Sequence, residues 1–278
     1  MDEQIRAYYE TGIELGRLER GYWRIEFART KELLLRYLPP APARVLDVGG
    51  GPGAYAVWLA HAGYDVKLVD GTPLHVEHAR ERAAGRFVAE VGDARELVEP
   101  DESCDAVLLL GPLYHLVERE DRVRALEEAR RVLRPQGVLA AAAISRFGPL
   151  LDAYARDMRD ERIWAMSERA LADGRHIPRR GDEDLFTVAY FHRPEELSAE
   201  VVAARFELVG LFGIEGPGWL RIETLDDSEG FDLAMRLARL LEQEPAIIGT
   251  SAHVLAIGHA RTAPVAVTAS VAPEPASG

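Results

Sequence analysis

The segment Asp47-Val48-Gly49-Gly50-Gly51-Pro52-Gly53-Ala54 decides how the rest of the chain is read. Arg44 to Val48 is a short apolar run of the kind buried in a parallel sheet. A helical pattern follows from about Ala54 to Ala62. A buried strand that runs straight into glycines and then into a helix brings backbone amides close to a ligand, because glycine has no side chain to hold it off. In an open α/β sheet such a turn lies at the strand carboxyl ends, where ligands bind.

The same rhythm extends outward in both directions. Further strands are read at 65–70, 87–91, 105–110, 138–144, 206–214 and 252–258, with helices near 72–84, 121–133, 194–204 and 229–241. Strands alternating with helices predict a doubly wound, mostly parallel, seven-stranded α/β sheet of Rossmann-like type. The first forty residues read as helices. Ile5, Tyr8, Tyr9 and Ile13 form one stripe, Trp23, Phe27, Leu34 and Leu38 a second, and Pro39, Pro40 and Pro42 end it. This predicts a helical lid over 1–40 and a main domain over 41–261. Within it, residues 146–193 break the rhythm and read as an insertion over the carboxyl edge of the sheet. Residues 262–278 lack aromatics and periodicity, which predicts a disordered tail.

Composition narrows the classes. The 278 residues carry 33 Lys and Arg against 46 Asp and Glu, a net charge of −13 that opposes a phosphate backbone. A nucleic-acid partner is therefore not expected. Arg124, Arg130, Arg131 and Arg134 surround one helix, but Glu127 and Glu128 interrupt them. No apolar run approaches the ~20 residues that span a bilayer, and the start MDEQIRAYYE is unlike a signal peptide. A soluble cytoplasmic protein without membrane contact is expected. Cys104 is the only cysteine, so neither an intrachain disulfide nor a cysteine zinc site can form. His75 and His78 lie three apart on a helix without an evident third ligand, and no metal is expected.

The glycine turn alone leaves two cofactors open. Gly49-x-Gly51-x-x-Ala54 fits a relaxed dinucleotide fingerprint, with Asp70 near the expected ~20-residue offset. The surrounding residues discriminate. Asp47 to Gly53 resembles the first motif of the class I S-adenosylmethionine-dependent methyltransferases. The resemblance continues in Asp70 ending the second strand, Gly92-Asp93-Ala94 after the third, Asp105 to Gly111 at the fourth, and Arg131-Val132-Leu133-Arg134-Pro135-Gln136-Gly137 before the fifth. Gln136 stands where that family usually has glycine. The resemblance covers about residues 40–145 strongly and 194–260 in outline.

It implies S-adenosyl-L-methionine as cofactor and assigns roles residue by residue. Asp47 and the backbone of Gly49 and Gly51 would hold the amino-acid end. Asp70 would take both ribose hydroxyls through charge-assisted bonds. Gly71 and Thr72 would flank the adenine, Asp93 would accept its amino group with Ala94 beside the ring, and Gly111 would lie under the methionine portion. Tyr8, on a helix closing over the cofactor, would face the sulfonium through cation–π attraction.

The acceptor side is read from the residues around the methyl position. A methyl on a sulfonium is already activated, so alignment and water exclusion dominate, and a base helps only where the acceptor must lose a proton. His115, in Gly111-Pro112-Leu113-Tyr114-His115-Leu116, and His192, in Tyr190-Phe191-His192-Arg193-Pro194, are the candidate bases. Tyr9, Tyr114, Arg146 and Tyr190 are candidate acceptor contacts. The expected activity is methyl transfer to oxygen or nitrogen, with carbon the third choice, of a small-molecule metabolite. The competing readings are an RNA or protein methyltransferase, a nicotinamide oxidoreductase, and a non-catalytic cofactor-binding or regulatory protein. The sequence leaves monomer and homodimer equally open.

Overall fold

The computed structural model describes residues 2–179, 182 and 185–261. The tail expected to be disordered, 262–278, lies outside the described residues. Helix α1 (Glu3–Tyr9) is capped by Asp2, which accepts from the Gln4 amide at 2.8 Å. A single 3-10 turn leads to α2 (Trp23–Tyr37). The expected first stripe is shorter than read. Gly12 and Gly16 take positive φ (77° and 71°), the helix stops at Tyr9, and Ile13 is 50% exposed. On α2 the buried face carries Ile25, Leu33 and Leu34 rather than Trp23 and Phe27.

The α/β body then unfolds in order: β1 (Arg44–Val48), α3 (Ala54–His61), β2 (Asp65–Asp70), α4 (Pro73–Ala83), β3 (Val88–Val91), β4 (Cys104–Leu109), α5 (Arg119–Val132) and β5 (Leu133–Ile144). Between β5 and the next body helix lie α6 (Gly148–Ala155), α7 (Glu161–Asp173) and a two-stranded ribbon, β6 (Arg175–His176) with β7 (Ala189–Tyr190). The helical pattern read from Leu150 to Trp164 is thus two helices. The chain closes with α8 (Pro194–Ala203), β8 (Phe206–Gly213), α9 (Ser228–Leu241) and β9 (His253–Ala260).

Seven strands make one sheet in the order β3-β2-β1-β4-β5-β9-β8. Strands β1 to β5 pair in parallel, while β9 runs antiparallel to both β5 and β8. Residues 106–109 of β4 and 139–143 of β5 are buried throughout, as central strands covered on both faces require. One core layer joins Val107, Leu139 and Val254 to Leu126 of α5 and Val201 of α8. The other joins Val45, Leu108 and Leu255 to Leu33 of α2, Leu59 of α3 and Val76 of α4. The chain winds outward from β1 to β3 and returns to β4 on the other side of β1. The crevice between the carboxyl ends of β1 and β4 is therefore the topological switch point. Gln136, in the family's glycine position, takes φ 64°, a left-handed conformation that glycine adopts at less cost.

A buried ionic brace holds the loop above β4. The Arg122 guanidinium is 2% exposed and donates to both oxygens of buried Glu200, on α8. Its Nη1 also donates to the carbonyls of Leu116 and Val117, and the Tyr190 ring lies 3.8 Å from its Cζ. His192 Nε2 is 3.2 Å from Glu200 Oε2. Removing one partner from a buried pair strands the other charge. Arg122→Ala should therefore destabilise the fold by ~3 kcal/mol or more in urea titration. The double change Arg122→Met with Glu200→Met should recover most of that loss.

Candidate functional site

A cavity of about 620 Å³ opens at the switch point, within the ~300–1,000 Å³ range of small-molecule sites. Its floor is the glycine turn. Gly49 takes φ 70°, and a Cβ there would fall 2.6 Å from Pro112 Cδ; a Cβ on Gly111 would fall 2.6 Å from the Gly49 carbonyl oxygen. The loops after β1 and β4 touch through bare backbone, which only glycine permits.

Asp70 stands at the centre. The Gly51 amide donates to its Oδ2 at 2.8 Å, and the Thr72 amide to its Oδ1 at 2.8 Å. His75 Nδ1 lies 3.2 Å from Oδ1. Gly71, Thr72, Asp93, Ala94, Gly111, Tyr9, Tyr114 and His115 line the same cavity, so the structure brings together most of the residues singled out above. The Asp93 carboxylate is gripped by Arg95 through Nε and Nη2, and that bond holds its pKa down to about 2.

Asp47 lies beneath a smaller chamber that shares Gly49, Gly51, Gly111 and Tyr114 with the cavity. The side chain is fully buried, and neither oxygen has a hydrogen bond of ordinary geometry. Burial, then the Asp70 charge, push its pKa up to about 7. Arg17, from the turn before α2, borders this chamber and is held by Glu14 at 2.9 Å and Glu26 at 2.8 Å. The sequence reading passed over it, since nothing local marks an arginine in a turn.

Two of the expected residues meet each other. The Tyr9 hydroxyl is 2.6 Å from His115 Nε2, and His115 Nδ1 is 3.1 Å from the Val188 carbonyl. A carbonyl only accepts, so Nδ1 carries the proton and Nε2 accepts from Tyr9. Burial pulls the His115 pKa down to about 4 and pushes that of Tyr9 well above its usual value. The imidazole is thus neutral across physiological pH.

Four expectations need correcting. His192 does not face the cavity: it is fully buried, bridged to Ser145, and turned to Glu200 in the ionic brace. Arg146 is buried too, with Nε on the Phe191 carbonyl and Nη2 on Glu196 and Tyr190. Tyr190 stacks on Arg122. These three bind the chain after β7 to the body, because α5 and α8 supply the charges that buried polar groups require. Tyr8 lies outside the cavity lining, edge-on to Tyr9 and Phe186; the helix turns Tyr9 inward instead.

The structure also gathers residues that no spacing suggested. Glu26, Glu215 and His253 place one donor atom each within 4.8 Å of one another. Glu215 accepts from the Ser251 hydroxyl, the His253 amide and His253 Nδ1, so its lone pairs are taken by the protein. Burial alone lowers the His253 pKa, but the charges of Glu26 and Glu215 outweigh it and raise it. The grouping ties α2 to the first residue of β9.

Comparison with known proteins agrees with this geometry. Residues 45–137 match a family model described as a methyltransferase domain. An uncharacterised methyltransferase of Mycobacterium tuberculosis is 32% identical over 224 residues, covering 77% of this chain and 79% of the relative. The 27-O-demethylrifamycin SV methyltransferase of Amycolatopsis mediterranei is 40% identical over 139 residues, 44% of this chain and 49% of that one. A solved structure of a Pyrococcus horikoshii protein shares the fold at a TM-score of 0.61 and 18% identity, over 91% of this chain and 98% of that one. The chain belongs to the class I S-adenosylmethionine-dependent methyltransferases. It is an enzyme, and its cofactor is S-adenosyl-L-methionine.

The residues present fit that group. An unpaired buried carboxylate suits an ammonium, a rim carboxylate suits a diol, and the glycine floor admits close approach. The sign of the Asp47 effect follows from its raised pKa. Between about pH 4, the usual aspartate range, and about 7, the unfolded chain releases this proton while the folded one keeps it. Folding is therefore penalised increasingly as pH rises across that window. Asp47→Asn should raise the stability of the ligand-free protein at pH 8 by about 1–2 kcal/mol in urea titration. The same change should weaken S-adenosylhomocysteine binding tenfold or more in calorimetry and remove the rise in affinity expected through pH 7.

Proposed function

We propose that this enzyme transfers the methyl group to an oxygen or nitrogen of a small organic molecule. The observation that carries the reading is the roof. Tyr9 of α1 lies over the cavity, joined to His115 across it and packed on Val188 with Ile5. A cavity roofed in part by its own N-terminal helix suits an acceptor small enough to sit beneath it, and such cover helps keep water from a reactive sulfonium. The rifamycin methyltransferase described above, whose name specifies a small-molecule acceptor, supports the same reading.

Charge argues against an RNA acceptor. Around α5, Arg131 is paired with Glu128 and Asp101, and Arg134 with Asp105, so neither offers a bare cation to phosphate. Among the described residues no helix is long and apolar enough to cross a membrane.

The cofactor supplies an electrophilic methyl, and the protein supplies alignment and a route for a proton. In this reading Tyr9 and His115 act as a pair. A hydroxyl or ammonium acceptor near Tyr9 Oη loses its proton to that oxygen as the Tyr9 proton passes to His115 Nε2. Tyr114, on the same wall, contacts the acceptor.

S-adenosylhomocysteine at 100 times its Kd should stabilise the protein by ~2.7 kcal/mol in a thermal-shift assay, whereas NAD should leave the melting temperature unchanged. Incubation with S-adenosylmethionine and a panel of phenols, hydroxy acids and amines should release S-adenosylhomocysteine with at least one member and with no RNA. His115→Ala should then slow turnover ~100-fold with cofactor affinity unchanged. Release with RNA alone overturns the small-molecule reading.

A further inference from the structure

We propose that His75 is a positioning residue for ribose capture, holding the Asp70 carboxylate in place and presenting its own Nε2 to a sugar hydroxyl. This rests on the reading that Asp70 receives the ribose of the cofactor. His75 is the third residue of α4 and only 4% exposed, yet it lines the cavity beside Asp70 and Gly51. Its Nδ1 lies 3.2 Å from Asp70 Oδ1. A carboxylate only accepts, so the proton on that side sits on Nδ1 and Nε2 is left to face the cavity.

That second nitrogen has no hydrogen-bond partner although it is buried. An unpaired buried polar atom is costly and calls for an explanation at each place it occurs. On one side the ring is packed edge-on by Tyr9, with centroids 5.0 Å apart, which fixes its plane. On the other it meets the carboxylate whose lone pairs serve the cavity. The Gly51 and Thr72 amides take one site on each Asp70 oxygen. A carboxylate has about four acceptor sites, so His75 decides which of the remainder point to the ligand. The chemical class recognised is a vicinal diol: one hydroxyl meeting the carboxylate and its neighbour meeting the imidazole Nε2.

The test uses the full chain and calorimetry with two probes, S-adenosylhomocysteine and its 2′,3′-dideoxyribose analogue. His75→Ala should weaken the first at least tenfold and the second less than twofold. His75→Asn, which restores a donor near the Nδ1 position but not the Nε2 contact, should recover only part of the loss for the first, with an affinity between those of His75→Ala and wild type. Circular dichroism and thermal melting of both variants check that they fold. An equal loss for both probes makes His75 a packing residue and overturns the proposal, as does an unchanged affinity for S-adenosylhomocysteine. Should wild type bind neither probe, the assignment of the cavity itself fails, a result distinct from loss in the variant alone.

Discussion

Asp70 is the residue on which the crevice is built. Its main-chain carbonyl accepts from the Gly92 amide at 3.0 Å, while the preceding Val69 carbonyl accepts from Gly49 at 2.7 Å. Its side chain accepts from Gly51 and Thr72. One residue and its neighbour thus knit the carboxyl ends of β1, β2 and β3 into a single rim. The backbone amides it satisfies are those a glycine-rich turn leaves exposed, which would otherwise be buried donors without partners. The floor is rigid before any ligand arrives, and preorganisation of this kind lowers the cost of binding.

That rim carries an electrostatic cost. Asp47 sits close enough to Asp70 for the two charges to oppose each other, and the nearby Ala56 amide meets it only outside ordinary hydrogen-bond geometry. Burying a charge without a good partner is destabilising, so the fold carries a local deficit beneath the glycine turn. The other buried charges of the cavity wall are paired. Arg122 and Glu200 satisfy each other in the opposite layer, and Arg122 also anchors the carbonyls of Leu116 and Val117 next to His115. The brace holds the cavity wall in position without lining the cavity.

Local sequence order explains which parts were legible. Asp47, Gly49, Asp70, Asp93 and Gly111 each lie within two residues of a strand's carboxyl end, so the strand pattern places them at one edge of the sheet. His192, Arg146 and Tyr190 lie beyond β5, where no periodicity says which side a chain segment will face. Their partners Glu196, Glu200 and Arg122 come from two helices. Tyr8 and Tyr9 are adjacent on a helix and so point about 100° apart. The choice between them depends on how α1 docks, and this is set by contact with Val188, 179 positions on. Glu26, Glu215 and His253 come together only through tertiary packing. His75 is visible in the sequence beside His78, and its place five residues after Asp70, in the first turn of α4, is the local feature that sets it against that carboxylate.

The roof differs from the floor in kind. Beneath the cavity, strands are hydrogen-bonded on both sides and packed into two continuous cores. Above it, α1 is seven residues long and rests on a cluster of only Ile5, Tyr9 and Val188, flanked by Tyr8 and Val117. Elements with little buried apolar contact open at lower free energy than the core does. α1 is therefore the wall of the cavity that parts from the body at least cost. The Tyr9–His115 hydrogen bond and the Tyr9–His75 ring contact are the specific interactions that such a displacement breaks. One aromatic side chain thereby joins α1 to both histidines of the cavity.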